Sequence, residues 1–162
     1  MYYDEISKGY EELHGDEQRE KLDFLIKHIG NDYDVLDVGC GTGIAAEYFS
    51  NYKGLDPSKE LIKIARSKRN ADVQVNNAEN FRFEKKFSLI ICITVAHHFE
   101  NKTKALTNLK NHLKKEGILA VSLLKESPSK NKIKSILEEN FNVEVLQQKK
   151  DTFYICKTQK FI

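Results

Sequence analysis

Residues 35–43 read VLDVGCGTG, and the rest of the chain is best placed by asking what that stretch must do. An apolar run carrying Asp37 leads into glycines at alternate positions, Gly39, Gly41 and Gly43, and a helix-compatible segment, IAAEYFS (44–50), follows at once. A strand that ends in glycines and turns into a helix start offers backbone N–H groups and a positive dipole end to an anion or carboxylate above it. Glycine alternation also lets a ligand lie against the main chain, where a Cβ would block it. The plain structural alternative, a tight turn that needs positive φ, explains one glycine easily and three poorly.

Working outward, strand-like and helix-like segments alternate along the chain without repeats or a Pro/Gly linker, the pattern of a layered α/β domain. The expected strands are 34–38, 52–56, 72–76, 87–93 and 117–124, mostly apolar as befits strands covered on both faces. Helices are expected at 44–50, 58–68 and 103–114, the last with Leu106, Leu109 and Leu113 on one stripe. A further helix is expected from Ser127 as cap and Pro128 in the first turn, burying Ile133, Ile136 and Leu137. Ahead of the first strand, DEQREKLDFLIKHI puts Leu22, Leu25, Ile26 and Ile29 on one face, with Asp16 as its N-cap. The last two strands, 142–146 and 152–157, are separated by five residues, too few for a parallel crossover, so the final strand must run antiparallel. A parallel sheet closed by an antiparallel hairpin strand departs from the usual dinucleotide-binding arrangement.

Length and composition bound the rest. The 162 residues suit one domain, 1–162, with N-terminal helices or a lid over 1–30 and the core over 31–162. No apolar run approaches the ~20 residues that cross a bilayer, so a cytoplasmic protein with no membrane partner is expected. Cys40, Cys92 and Cys156 form no CxxC pair, which fits a reducing compartment and no metal site. Net charge is +2, but Lys and Arg against Asp and Glu run 4 to 10 in residues 1–34, 9 to 8 in 35–100 and 13 to 6 in 101–162. A basic C-terminal third can mark a nucleic-acid partner, although solvated lysine-rich helix faces are the commoner cause.

Two ligand classes compete for the glycine loop. GTGIAA (41–46) matches the nicotinamide-dinucleotide fingerprint literally, a weak signal by itself. Asp37 at the strand end argues the other way, since it would repel a pyrophosphate and attract an ammonium. A ligand with both a carboxylate and an ammonium is an amino acid.

VLDVGCGTG resembles the first motif of the class I S-adenosylmethionine-dependent methyltransferases. The likeness continues through GLDPSKELIKIAR (54–66), NNAENFRF (76–83), FSLIICITVAHHF (87–99) and LKKEGILAVSL (113–123), in the family's order and over nearly the whole chain. The resemblance implies a three-layer Rossmann-like α/β sandwich with a mostly parallel seven-stranded sheet, order 3-2-1-4-5-7-6, strand 7 antiparallel, and an N-terminal helical lid. It implies S-adenosyl-L-methionine as cofactor. Asp37 would engage the methionyl ammonium, and the turn of Gly39, Cys40, Gly41 and Gly43 would receive the methionine portion. Asp56, followed by Pro57, would accept from both ribose hydroxyls, its structural alternative being a helix cap before Ser58. Asn77 stands where the family more often has Asp and would accept from the adenine amino group, with the Ala78 N–H against the ring; it also suits a simple turn. Thr94 and Val95 would flank the sulfonium.

The acceptor is less legible. An N-terminal lid over 2–15 would present Tyr3 and Tyr10 on one helical face, and Tyr10 matches a family aromatic that closes over the cofactor. Methyl transfer is an in-line displacement needing no triad. If the acceptor must lose a proton, His97 or His98 is the nearest titratable group. The 91–106 segment looks like that of wobble-uridine tRNA methyltransferases, which work with a small zinc-binding activator subunit, and also like that of small-molecule enzymes. Expectations therefore span a small-molecule or RNA methyltransferase, a tRNA-modifying subunit with a small activator partner, and a silent cofactor-binding regulatory subunit, as monomer or homodimer.

Overall fold

A computed structural model describes residues 9–158. The strands are β1 (Asp34–Val38), β2 (Asn51–Asp56), β3 (Val73–Val75), β4 (Phe87–Ile93), β5 (Leu113–Leu124), β6 (Phe141–Gln147) and β7 (Asp151–Thr158). They form a seven-stranded sheet in the order β3-β2-β1-β4-β5-β7-β6. β7 runs antiparallel to both β5 and β6, as the short connection between the last two strands requires. The α-helices are α1 (Tyr10–Ile29), α2 (Lys59–Arg69), α3 (Lys102–Asn111) and α4 (Lys130–Asn140). Residues 2–8 of the expected lid, Tyr3 among them, lie outside the described residues.

The chain divides into two compact units, Met1–Asn77 and Ala78–Ile162. In the first, β1 pairs in parallel with β2 from Asp34↔Asn51 to Val38↔Leu55, and β2 pairs in parallel with β3. Val35, Leu36, Val38 and Leu55 are buried, so β1 is apolar along its length apart from Asp34 and Asp37. Leu22 and Leu25 of α1 are buried, whereas Ile26 and Ile29 are only half-buried. In the second unit β4 pairs in parallel with β5, which in turn pairs with β7. Leu89, Ile90, Ile91, Leu119, Ala120, Val121, Phe153, Tyr154 and Ile155 form its dry interior.

Several element boundaries differ from the expectation, each for a local reason. Asp16 is an exposed residue inside α1, which begins at Tyr10 behind Gly9, so it caps nothing. Residues 44–50 do not make an α-helix: a single 3-10 turn, Ile44–Glu47, is all that fits before β2 opens at Asn51. α3 starts one residue earlier than expected, behind Asn101, whose side chain accepts from the Lys104 N–H, and stops at Asn111. Leu113 satisfies helical spacing, yet it opens β5 opposite Phe87, and a register shift follows before Leu89↔Ile118. A Cβ at Gly117 would meet the Lys114 carbonyl oxygen at 2.9 Å, so the irregular stretch needs glycine there. α4 starts at Lys130 rather than at Pro128, the Lys130 N–H being taken by the Ser127 carbonyl at 3.1 Å. Of its three expected core residues, Ile133 and Leu137 are buried and Ile136 is half-buried.

Candidate functional site

In the first unit the glycine turn connects β1 to the 3-10 turn. Gly39, Gly41 and Gly43 all have positive φ, +77°, +55° and +80°. The backbone alone therefore favours glycine at each position, and the structural alternative accounts for all three rather than one. The turn is tied to its surroundings: the N–H groups of Gly39 and Cys40 both donate to the Leu55 carbonyl, at 2.8 and 2.9 Å. Arg69 of α2 donates through Nη1 to the Thr42 carbonyl at 3.0 Å and through Nε to Glu47 at 2.7 Å. Beneath the turn, Cys40 packs with Ile62, Ala65 and Val73.

Two carboxylates flank this turn. Asp56, at the end of β2, accepts from the Gly41 N–H through Oδ2 and from the Ser58 N–H through Oδ1, both at 2.9 Å. It thus braces the glycine turn and the start of α2 at once, while Ser58 itself caps α2 by accepting from the Leu61 N–H at 3.2 Å. A carboxylate has about four acceptor positions, so two backbone donors leave it capacity for hydroxyls. Pro57, next in line, is exposed.

Asp37 lies opposite Gly54 across the β1–β2 pair and is 5% exposed. Tyr52 donates its phenol to Asp37 Oδ2 at 2.6 Å. Gly54 makes the room: a Cβ there would sit 2.8 Å from the Tyr52 hydroxyl and 2.9 Å from Cys40 Cβ. Burial pushes the Asp37 carboxyl up to about 7; the Tyr52 hydrogen bond pulls it down and nearby Asp56 adds a further push upward. Burial, with the charges of Asp37 and Asp56, also holds the Cys40 thiol well above its ordinary range, so Cys40 is a neutral packing group. Thr42, 1% exposed, has a buried hydroxyl without a hydrogen bond. The donor set suits an amino-acid cation: a desolvated carboxyl gains its charge most cheaply beside an ammonium, and a second carboxylate keeps acceptor capacity that hydroxyls could use. Asn77 ends this unit as an exposed residue whose N–H donates to the Asn76 side chain at 2.9 Å, a turn contact that coexists with any ligand role. Tyr10 opens α1.

In the second unit Ala78 is buried, and its carbonyl accepts from Asn108 Nδ2 at 3.0 Å. Thr94, directly after β4, has φ +56°, a left-handed conformation for a β-branched residue. Its N–H is shared between the carbonyl and the hydroxyl of Ser122, each at 3.0 Å. A short 3-10 turn, Ala96–His98, follows. His97 is half-buried and His98 exposed, and their rings lie 3.9 Å apart between centroids. Lys102 donates to the carbonyls of His97 and Phe99 at 3.3 and 3.0 Å, and Glu79 Oε2 accepts from the N–H groups of Glu100 and Asn101 at 3.0 and 3.3 Å. The histidine turn is thus pinned at both ends. Tyr52, Thr42, Arg69, Ser122 and Glu79 were not expected from sequence, because each acts through a partner distant along the chain; Lys102, whose partners are three and five residues away, was not expected either.

Residues 36–121 match the family described as Methyltransferase domain, a span that runs across both units. The chain is 36% identical over 143 residues to an uncharacterized protein of Methanocaldococcus jannaschii, covering 86% of this chain and 57% of that one. It is 31% identical over 121 residues to the ubiquinone biosynthesis O-methyltransferase of Rickettsia canadensis, covering 64% of this chain and 50% of the relative. The chain spans about half the length of these curated relatives. Among solved structures it resembles the N-methyltransferase NodS of Bradyrhizobium japonicum in complex with S-adenosyl-L-homocysteine, with a TM-score of 0.75 at 13% identity, covering 89% of this chain and 87% of that one.

Proposed function

The chain belongs to the methyltransferase-domain family of class I S-adenosylmethionine-dependent enzymes, and from that premise we propose that it binds S-adenosylmethionine and transfers its methyl group to a nitrogen or oxygen of a small molecule. One observation carries the reading: the two buried carboxylates, Asp37 and Asp56, that flank the positive-φ glycine turn. Asp37 meets the ammonium, the turn of Gly39, Cys40, Gly41 and Gly43 receives the methionine end, and Asp56 with Pro57 behind it takes the ribose. Asn77 and the Ala78 N–H serve adenine, Thr94 serves the neighbourhood of the methyl group, and Tyr10 belongs to the closing segment. The cofactor supplies a methyl group on a sulfonium, which needs only a nucleophile held in line. His97 or His98 removes the acceptor's proton where the acceptor carries one.

The name of the ubiquinone biosynthesis O-methyltransferase relative supports a small acceptor. The excess of 13 basic over 6 acidic residues in 101–162 favours RNA instead, and the resemblance of 91–106 to wobble-uridine tRNA methyltransferases would then add a small activator protein as partner. Calorimetric titration with S-adenosylmethionine, S-adenosylhomocysteine and a nicotinamide dinucleotide tests the cofactor. Labelled methyl transfer into metabolite, tRNA, ribosomal RNA and protein fractions tests the acceptor. Label in the metabolite fraction supports the small-molecule reading and label in RNA replaces it. Cofactor binding with no transfer into any fraction identifies a silent regulatory subunit. Among the described residues no helix is long and apolar enough to cross a membrane.

A further inference from the structure

The conformation of Thr94 has a visible cause. Its hydroxyl donates to Asp151 Oδ2 at 2.5 Å, and the hydroxyl of Ser122 donates to the same oxygen at 2.7 Å. Ser122 and Asp151 are both 0% exposed. Asp151 is the first residue of β7, paired opposite Leu124, and its own backbone is clamped: its N–H donates to Gln148 Oε1 at 3.0 Å and its carbonyl accepts from the Gln148 N–H at 2.9 Å. A side chain on β5 and another on β7 thus fix the residue where β4 gives way to the histidine turn. The chain could have reached the same φ with glycine, as it does three times after β1. Instead it buries a carboxylate and holds a β-branched residue in a disfavoured conformation, which persists only when the surroundings over-determine it. Strain of this kind concentrates where geometry matters for function.

We propose that Asp151, together with Ser122, is a positioning residue for methyl transfer: it holds Thr94 in its left-handed conformation and so sets the direction in which the turn bearing His97 and His98 leaves β4. The inference rests on the reading of that turn as the acceptor side. Asp151 touches no reacting atom and acts through Thr94.

The test uses the full chain with Asp151→Ala, Asp151→Asn, Ser122→Ala, Thr94→Gly and the Asp151→Ala/Thr94→Gly double variant. The first readout needs neither cofactor nor acceptor: ring resonances of His97 and His98 by NMR, with His112 of the same unit and His14 and His28 as controls. Asp151→Ala should move the His97 and His98 signals and the Thr94 amide while the three control histidines stay in place. Asp151→Asn should restore them in part, because an amide oxygen still accepts. The second readout is turnover in whichever fraction accepts label, set beside S-adenosylhomocysteine affinity. Asp151→Ala should lower kcat roughly 10- to 100-fold with cofactor affinity within about threefold, since small misplacements at a reacting centre cost on that scale. In the Thr94→Gly background the same substitution should add nothing, because the residue it works through is gone.

Unmoved His97 and His98 signals in Asp151→Ala, or an undiminished effect in the Thr94→Gly background, overturns the proposal. Where Asp151→Ala fails to fold, Ser122→Ala is read by the same criteria. A wild-type chain that transfers no methyl group defeats the functional reading alone, because the resonances still decide whether Asp151 orients the turn.

Discussion

The turn after β1 and the turn after β4 impose the same backbone requirement and meet it by opposite means. Both leave a buried parallel strand and both enter a 3-10 turn through left-handed φ. The first uses Gly39, Gly41 and Gly43, residues for which that conformation carries no steric penalty. The second uses Thr94 and holds it with hydroxyl and carboxylate partners from two other strands. The first solution is local, because the turn's own residues permit the conformation. The second is distributed and exists only once the surroundings do. On the proposed function, the turn assigned to the cofactor has the local solution, and the turn assigned to the acceptor has a geometry that remote residues can retune.

The largest effects should separate the two turns by readout. Replacing His97 or His98 by Ala should lower the methylation rate roughly 10²- to 10⁴-fold if that residue moves a proton, with S-adenosylhomocysteine affinity nearly intact. Steady-state rates beside calorimetry check this, and equal rates for wild type and both single variants would remove the pair from the mechanism. On the first turn the pattern inverts. Asp56→Ala should weaken cofactor binding about ten- to a hundredfold, the loss of a charged acceptor at roughly 1.5–3 kcal/mol. It should also destabilise the empty protein, because the Gly41 and Ser58 N–H groups lose their acceptor. Unchanged calorimetric affinity in a folded Asp56→Ala would show that Asp56 only braces the turn.

A smaller effect should appear on changing pH. The folded Asp37 carboxyl, at about 7, lies above its ordinary value of 3.8. The folded state therefore holds a proton that the unfolded chain has released between those values, and the empty protein should lose stability as pH rises through that window. Binding an ammonium favours the charged form, so cofactor affinity should rise with pH by at most about tenfold per unit and level off above about 7. Calorimetry in buffers of different ionisation enthalpy should detect the released proton, and Asp37→Asn should abolish the slope. A flat profile in the wild type would show that Asp37 does not meet a cation.

The smallest effects should rank two arginines that share Glu47. Arg69, with its side chain 7% exposed, also donates to the Thr42 carbonyl in the glycine turn, and Arg69→Ala should cost about 1–3 kcal/mol in denaturant unfolding. Arg19, whose side chain is 38% exposed in its contact with Glu47, should cost under about 1 kcal/mol. Equal costs would mean that the tie to the glycine turn contributes nothing.

What could be read from the sequence follows the same division. The antiparallel last strand came from a connection too short for a crossover, a local feature, whereas the seven-strand order came only through the resemblance of the motifs to a known family. The glycine turn was legible because its device is written in consecutive residues, although positive φ at all three glycines proved a sufficient reason for them. Boundaries failed where one residue satisfied two patterns, as Leu113 did, or where space ran out, as it does between Gly43 and Asn51. The Tyr52 to Asp37 bond could have been suspected from the small residue at Gly54, which lies opposite Asp37 only once the β1–β2 register is known. Nothing near Asp151, in a lysine-flanked hairpin turn, announces Thr94, because strand pairing alone brings the two together.

The placement of β7 also gives synthesis an order of consequences. It is made after the other six strands, yet it lies inside the sheet, between β5 and β6. Until it arrives, both of those strands show an unpaired edge, an invitation to wrong partners during folding. Its arrival closes the gap and in the same movement delivers Asp151 to Thr94, 57 positions upstream. A chain cut short of β7 would retain every residue assigned to the cofactor and still lack the contact proposed to set the histidine turn, so only a chain that includes β7 has both.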